Sequence, residues 1–308
     1  MKLISENLHI ISKNTKEAVK NRDEFYIKNL LKRQIAANPD WIDLNIGPAR
    51  GAFAGAMEWI VNIASEMTDI PLSLDTTNID EIESGLKLAK NPQNWIINST
   101  SADFERLEAV TDAAVKYNAN IIALTMNSEL GIPKESDGRL ELAFEINEKT
   151  QEKGIENEKI FFDPLILPVA VEQSQAVEAL NTIRMLKESF EPPVLTTIGL
   201  SNVSNGAPAH LRPLINRVFF VLAAGCGLDS AIVDSFDSEL LRINGLLENQ
   251  TPQNAADELI LSIYETMCDF GEIDDVACDL SDRSQLEIFK TARVLLNKTV
   301  YSNSYLEI

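Results

Sequence analysis

The sequence predicts an α/β protein folded as a single closed (β/α)8 barrel, on three observations. Eight short apolar runs alternate with eight helical patterns along the 308 residues, and such alternation requires parallel strands joined by crossover helices. The runs end on polar residues: Glu6, Asn45, Asp75, Asn98, Asn127, Asp163, Asn202 and Asp234. Closure gathers all eight at one rim, the end at which such barrels hold their substrates, although some of them are expected to serve only as helix caps. The length suits one barrel with a large core.

Taken in order, the first run covers residues 3–4 and ends at Glu6, and a long amphipathic helix is expected over 15–37. Residues 41–44 lead to Asn45 and Gly47, with a helix over 52–67. Residues 71–74 end at Asp75. The next helix opens at Asn78, with Glu81 three residues on in the spacing of a capping box. Residues 95–97 end at Asn98 before a helix over 103–117, and residues 120–124 lead to Thr125 and Asn127 before a longer loop and a helix over 137–153. Residues 160–162 end at Asp163, with a helix over 171–188. The stretch 198–216 organises the rest: an apolar run over 194–200 breaks at Ser201 and Asn202, and the chain crosses a Gly/Pro loop and enters a helix over 212–224. The last run, 230–233, ends at Asp234 ahead of a helix from Asp237.

Composition removes several function classes. With 27 Lys+Arg against 47 Asp+Glu the net charge is −20, which repels phosphate backbones and anionic lipid, so neither nucleic acid nor a membrane is expected as a partner. The longest apolar run, 218–228, is too short to span a bilayer and contains glycines. The start, M-K-L-I-S-E-N, lacks the features of a signal peptide, and a cytoplasmic protein is expected. Cys226, Cys268, Cys278, His9 and His210 form no metal-ligand spacing and no even disulfide framework, so no bound metal is expected. Four Asn-x-Ser/Thr triplets, at Asn98, Asn202, Asn249 and Asn297, matter only in a secreted chain.

The rim offers carboxylates and amides but few cations, Arg212 and then Arg50 and Lys134. An ionised carboxylate only accepts hydrogen bonds, so a ligand held by Asp75 and Asp163 should present N–H donors. The 2-amino-4-oxo-pyrimidine edge of a pterin or a guanine does so, with each charge-assisted bond contributing roughly 1.5 to 3 kcal/mol. Without a ligand, neighbouring carboxylates repel and one pKa rises. The alternatives are Mg2+ on the same acids or a structural role for Asp163 ahead of Pro164. Mg2+ usually accompanies a phosphate site, and no glycine-rich phosphate loop of the usual spacing is present.

Five segments then stand in order: Ile42-Asp43-Leu44-Asn45-Ile46-Gly47-Pro48, Leu74-Asp75-Thr76-Thr77-Asn78, Ile97-Asn98-Ser99-Thr100, Asp163-Pro164-Leu165-Ile166-Leu167-Pro168 and Gly199-Leu200-Ser201-Asn202-Val203-Ser204. Together they resemble the pterin-binding methyltransferases that act on 5-methyltetrahydrofolate and a corrinoid protein, including the enzyme that serves the corrinoid/iron-sulfur protein of acetogens. The folate domain of cobalamin-dependent methionine synthase and dihydropteroate synthase are more distant relatives. The resemblance covers about residues 1–245 and resumes at 295–305. It implies a TIM barrel of the pterin-binding type, with tetrahydrofolate or 5-methyltetrahydrofolate as substrate and a corrinoid (cobalamin) carried by a partner, either a corrinoid/iron-sulfur protein or a small corrinoid-binding protein. A homodimer is also implied.

By that resemblance Asp75, Asn98 and Asp163 hold the pterin ring, Glu6, Gly199, Ser201 and Ile232 complete the pocket, and Arg212 matches the arginine after the loop. Asn202 is the implied catalytic residue, hydrogen-bonded to N5. The implied reaction is an SN2 transfer of methyl from N5 to Co(I), or its reverse. N5 is a poor leaving group and must gain a share of a proton as its bond breaks. An amide does not titrate near neutrality, but it can donate to N5, with the proton itself coming from solvent. Three other readings share the barrel: a dihydropteroate synthase, a non-enzymatic scaffold subunit of a corrinoid protein, and a second methyltransferase charging tetrahydrofolate in an O-demethylase or methylamine-type system. The synthase's diphosphate substrate wants basic residues where strand seven here ends Gly-Leu-Ser-Asn. The complete Asp75, Asn98, Asp163 and Asn202 set opposes the scaffold.

Three stretches depart from the family pattern. Glu6-Asn7-Leu8-His9 replaces Glu-Arg-Ile-Asn, which brings His9 near the rim, and two extra residues fall between Gly206 and Arg212. Residues 246–286 have no counterpart. They are rich in Asp and Glu, with Leu259, Ile263 and Met267 at helical spacing. Within a barrel spanning 1–308 they read as an inserted appendage of two helices and an acidic loop, usually solvated, less often a docking surface or dimer contact.

Overall fold

The structure, a computed structural model, describes residues 1–307. Ile308, the end of the expected domain, lies outside the described residues. Strand β1 (Lys2–His9) leads to helices α1 (Lys13–Lys20) and α2 (Glu24–Ala36). Then follow β2 (Trp41–Asn45), α3 (Ala56–Met67), β3 (Leu72–Asp75), α4 (Ile79–Leu86), β4 (Ile96–Thr100), α5 (Phe104–Tyr117), β5 (Asn120–Leu124), α6 (Ser136–Glu152), β6 (Ile160–Asp163) and α7 (Ser174–Ser189). The chain continues with β7 (Leu195–Thr196), α8 (Arg212–Gly225), β8 (Ser230–Val233), α9 (Ser238–Asn249), α10 (Ala255–Cys268) and α11 (Arg283–Leu295). The eight strands form one sheet in the order β7-β6-β5-β4-β3-β2-β1-β8, every named pairing being parallel. A parallel bridge between Gly199 and Ile232 brings the two edges together. The expected (β/α)8 barrel is therefore the observed one.

Alternation along the strands sorts the core into two layers. Outward residues such as Leu44, Leu74, Ile97, Ile121, Phe162 and Val233 are buried beneath the helices. The interior holds Ile4, Ile96, Ile122 and Phe161, with Trp41, Leu124, Leu195 and Ile232 packed against them. Both faces are apolar in the lower barrel, which is why the strands read as near-continuous apolar runs.

Several element boundaries differ from the sequence reading, each for a local reason. The single helix expected over 15–37 is two, because Arg22 takes φ 54° and the Asp23 side chain restarts the helix by accepting from Tyr26 N at 3.0 Å. Glu81 does not close a capping box on Asn78. It accepts from Gly55 N and Met57 N, so it caps α3 from the neighbouring helix, while Asn78 caps α4 alone by accepting from Asp80 N at 3.1 Å. Strand β1 runs past Glu6 to His9, and strand β7 stops at Thr196, well short of Leu200.

Within residues 246–286, α10 lies across α8, burying Leu259, Ile260, Ile263 and Met267. The helices touch backbone to backbone at Gly225, where a Cβ would stand 2.5 Å from Met267 Cβ and 2.7 Å from Tyr264 O. Arg242 of α9 grips the buried Asp257 through two bonds of 2.7 and 3.1 Å. The acidic residues that follow form a short turn, Ile273–Asp275, before α11. Among the described residues no helix is long and apolar enough to cross a membrane.

Candidate active site

Period two builds the site from the apolar floor. Side chains two residues apart on a strand share a face, so stepping from Trp41, Ile96, Phe161 and Ile232 places Asp43, Asn98, Asp163 and Asp234 one layer nearer the rim, and Glu6 stands in the same way above Ile4. Two backbone irregularities adjust this layer. The register of β1 with β2 slips between Ser5 and Leu8, which gives Glu6 and Asn7 one extra residue against Asp43. The register of β4 with β5 slips between Asn98 and Thr100. Bulges at a barrel rim re-aim side chains, and here they flank Glu6 and Asn98.

The centre of the basin is a carboxyl pair. Asp43, nearly fully buried, accepts from Ser73 Oγ at 2.6 Å and Asn98 Nδ2 at 3.1 Å. Asp75 accepts from Asn45 Nδ2 at 2.5 Å and is in hydrogen-bond contact with Asp43. Burial pushes Asp43 up to about 6. Burial first, and then the charge of Asp43, hold Asp75 well above the usual carboxylate range. Arg106 opposes this rise from behind, its guanidinium bonding Ser99 O at 2.9 Å, Thr77 O at 2.9 Å and Thr76 O at 3.1 Å. Neither Asp43 nor Arg106 was singled out from the sequence. The alternation Trp41, Asp43, Asn45 was the available signal for the first; nothing local marks the second.

Asp163, on β6, is buried and pushed up to about 6 by that burial, against hydrogen bonds from Leu165 N at 2.8 Å and Gly199 N and the charge of Arg139. Arg139 is itself fully buried, bonded to Pro133 O at 2.9 Å and Gln175 Oε1 at 2.5 Å. Glu6 is pushed up to about 7, first by burial and then by Asp234 and Asp43, while Ser201 Oγ, donating at 3.3 Å, and Arg212 work the other way.

Beyond the Gly199–Ile232 bridge the chain winds into a tight turn, Leu200–Ser204, anchored by the buried Leu200 and Val203. Ser201 faces Glu6 and Asn202 is exposed at the lip. Asn202 Nδ2 lies over Gly199, where a Cβ would come within 2.9 Å of it and push the amide aside. Arg212 is turned toward the loop, with Nε 3.3 Å from Ser204 Oγ and Nη2 3.1 Å from Asn205 Oδ1.

The nine residues expected at the site thus fall into three groups. Asp75 and Asn98 are register partners on adjacent strands, while Asp163, Gly199, Ser201, Glu6 and Asn202 surround the other half of the basin. Ile232 lies in the apolar floor beneath, and Arg212 reaches Glu6 only through its charge. Of the remaining rim residues, Asn127 caps its own loop by accepting from Leu130 N at 2.7 Å. Asp234 accepts from Asn7 Nδ2 at 2.6 Å and Phe236 N at 2.9 Å. His9 is half-buried, with Nδ1 accepting from Ser12 N at 3.4 Å, and burial lowers its pKa. Arg50 is exposed, and Lys134 pairs with Glu172 at 3.6 Å. The basin is therefore rich in acceptors and suits a flat ligand that presents N–H donors.

Comparison with known proteins agrees with that chemistry. A family described as pterin binding enzyme matches residues 29–234. A methylcorrinoid:tetrahydrofolate methyltransferase of Eubacterium limosum is 26% identical over 245 residues, covering 78% of this chain and 88% of its own. A methionine synthase of Mycobacterium leprae is 28% identical over 249 residues, and the match takes up 78% of this chain but only 20% of that enzyme. Among solved structures, Yersinia pestis dihydropteroate synthase with a pterine–sulfa conjugate superposes with a TM-score of 0.57 at 14% identity, over 80% of this chain and 94% of that one, a likeness of fold. With two thirds of its length matched and an acceptor-lined basin at the mouth of the barrel, this chain belongs to the pterin binding enzymes.

Proposed function

We propose that the protein is a methyltransferase that moves a methyl group between N5 of tetrahydrofolate and the cobalt of a corrinoid carried by a partner protein. The observation that carries this reading is the pairing of a floor, the Asp75 and Asp163 carboxyls with the Asn98 amide between their strands, and a further amide, Asn202, at the lip. The floor would take the N–H groups of the pterin ring, and the open mouth above Asn202 would admit the corrinoid. The relative from Eubacterium limosum, whose name describes transfer between those two substrates, supports the assignment over nearly its whole length.

The chemistry gives Asn202 its role. When Co(I) attacks the methyl carbon in line with N5, the carbon–nitrogen pair returns to N5, which takes up a proton from solvent, and the methyl leaves as Co–CH3. A donor aimed at N5 stabilises that pair as it develops, an effect worth about 10² to 10³ in rate for a preorganised group. Contacts to the floor act on bound substrate and transition state alike and appear in affinity. The same site catalyses both directions. That relative's name favours the direction toward methyltetrahydrofolate, as in the second methyltransferase of a demethylase system.

The test is anaerobic mixing of the protein with cob(I)alamin and 5-methyltetrahydrofolate, following loss of the Co(I) absorbance, with Asn202→Ala alongside. Enzyme-dependent methylcobalamin formation that slows by about 10² or more in the variant, with folate affinity retained, is the expected result. An unchanged single-turnover rate would remove Asn202 from the mechanism.

A further inference from the structure

We infer that Asn205 is a positioning residue which, with Arg212 behind it, fixes the amide of Asn202 with its NH2 end toward the basin. This rests on the donor role proposed for Asn202 and says what sets the direction of that donor. The argument is one of hydrogen-bond polarity. A guanidinium donates and never accepts, so the Asn205 atom 3.1 Å from Arg212 Nη2 must be its oxygen. The Nδ2 of Asn205 therefore faces Asn202, 3.3 Å away, and the atom it meets must accept, so that atom is Asn202 Oδ1. The NH2 of Asn202 is left on the far side, over Gly199.

Reversing either amide would set two donors or two acceptors face to face. Arg212 is itself steadied at 3.3 Å from Ser204 Oγ, which in turn donates to Ser201 O at 3.3 Å, so the relay starts from the body of the turn. Asn202 and Asn205 are both exposed, and the partner that Asn202 Oδ1 finds in this chain is Asn205. An unconstrained amide would offer its carbonyl oxygen to N5 for part of the time, opposing the lone pair that forms there.

Substituting Asn205 separates this from a merely structural role, because the side chain is exposed and aspartate has nearly its shape. Aspartate only accepts. In Asn205→Asp it would take bonds from both Arg212 and Asn202, turning the Asn202 carbonyl toward the basin. The experiment is the single-turnover cob(I)alamin assay on Asn205→Asp, Asn205→Ala, Asn205→Gln and Asn202→Ala, with folate affinity by calorimetry on the same preparations. The chemical step is expected to slow by about 10² in Asn205→Asp, by a smaller factor in Asn205→Ala, and to recover in Asn205→Gln, with affinity unchanged throughout. If Asn202→Ala is slow while Asn205→Asp is as fast as Asn205→Ala or faster, the relay is overturned and the role of Asn202 stands. If Asn202→Ala keeps the full rate, or the unsubstituted protein transfers no methyl, the function reading fails first.

Discussion

Replacing Glu6 by glutamine should stabilise the ligand-free protein at pH 8 far more than at pH 5. The Glu6 carboxyl is raised from an ordinary 4.5 to about 7, chiefly by burial and then by the facing charges of Asp234 and Asp43, with the Ser201 hydroxyl and Arg212 opposing. A carboxyl whose folded pKa exceeds its unfolded one binds its proton more tightly in the fold. Its contribution is therefore most favourable below the unfolded value, and stability is lost as pH climbs through the folded value. At pH 8 ionising Glu6 costs the fold about 3 kcal/mol, whereas at pH 5 the side chain is protonated in the fold and about 1 kcal/mol remains. Glutamine is neutral at both, keeps an oxygen for Ser201 Oγ, and differs little in shape. The gain should thus be about 2 kcal/mol larger at pH 8, or about 3 °C in melting temperature for a domain of this size. Asp163 titrates in both proteins and cancels in the comparison, while the repulsion between Asp43 and Glu6 is part of the raised Glu6 value and is relieved in the variant. Thermal and urea unfolding at the two pH values measure it. An equal shift at both, or a loss of stability confined to pH 8, would refute the claim that Glu6 is held in the fold as a reluctant anion.

Two further substitutions probe the floor and the helical addition. Asp163→Asn keeps an acceptor for Leu165 N but removes the charge, so folate binding measured by calorimetry should weaken by about 10- to 100-fold; unchanged affinity would remove Asp163 from the pocket. Gly225→Ala pushes a methyl into Met267 Cβ and the Tyr264 carbonyl and should lower stability by about 1 to 3 kcal/mol in urea titration. A neutral result would mean that α10 yields freely and is not fixed on α8.

The division between what the sequence disclosed and what it hid follows the range of the interactions. Asp75, Asn98 and Asp163 each close an apolar run, so strand period and polarity, both local, were enough to find them. Asp43 escaped because it sits inside a run, between Ile42 and Leu44. Its neighbours along the chain advertise a core strand, while the partners that make it part of the basin, Ser73, Asp75 and Asn98, come from two other strands. Glu81 illustrates the same limit in a helix, its spacing from Asn78 being a genuine local signal outcompeted by the unpaired N–H groups of α3. The bulges beside Glu6 and Ser99 are likewise facts about two strands at once. Strand β7 shows why such irregularities gather at the site. Residues 194–200 carry strand-like side chains, yet the named strand ends at Thr196, and after the single bridge from Gly199 to Ile232 the chain winds into the turn that bears Ser201 and Asn202. A regular strand would have alternated those two residues to opposite faces. Leaving the ladder lets Ser201 reach Glu6 and lets Asn202 lie across Gly199, so the sequence's one clear failure to stay a strand is also what arms the rim.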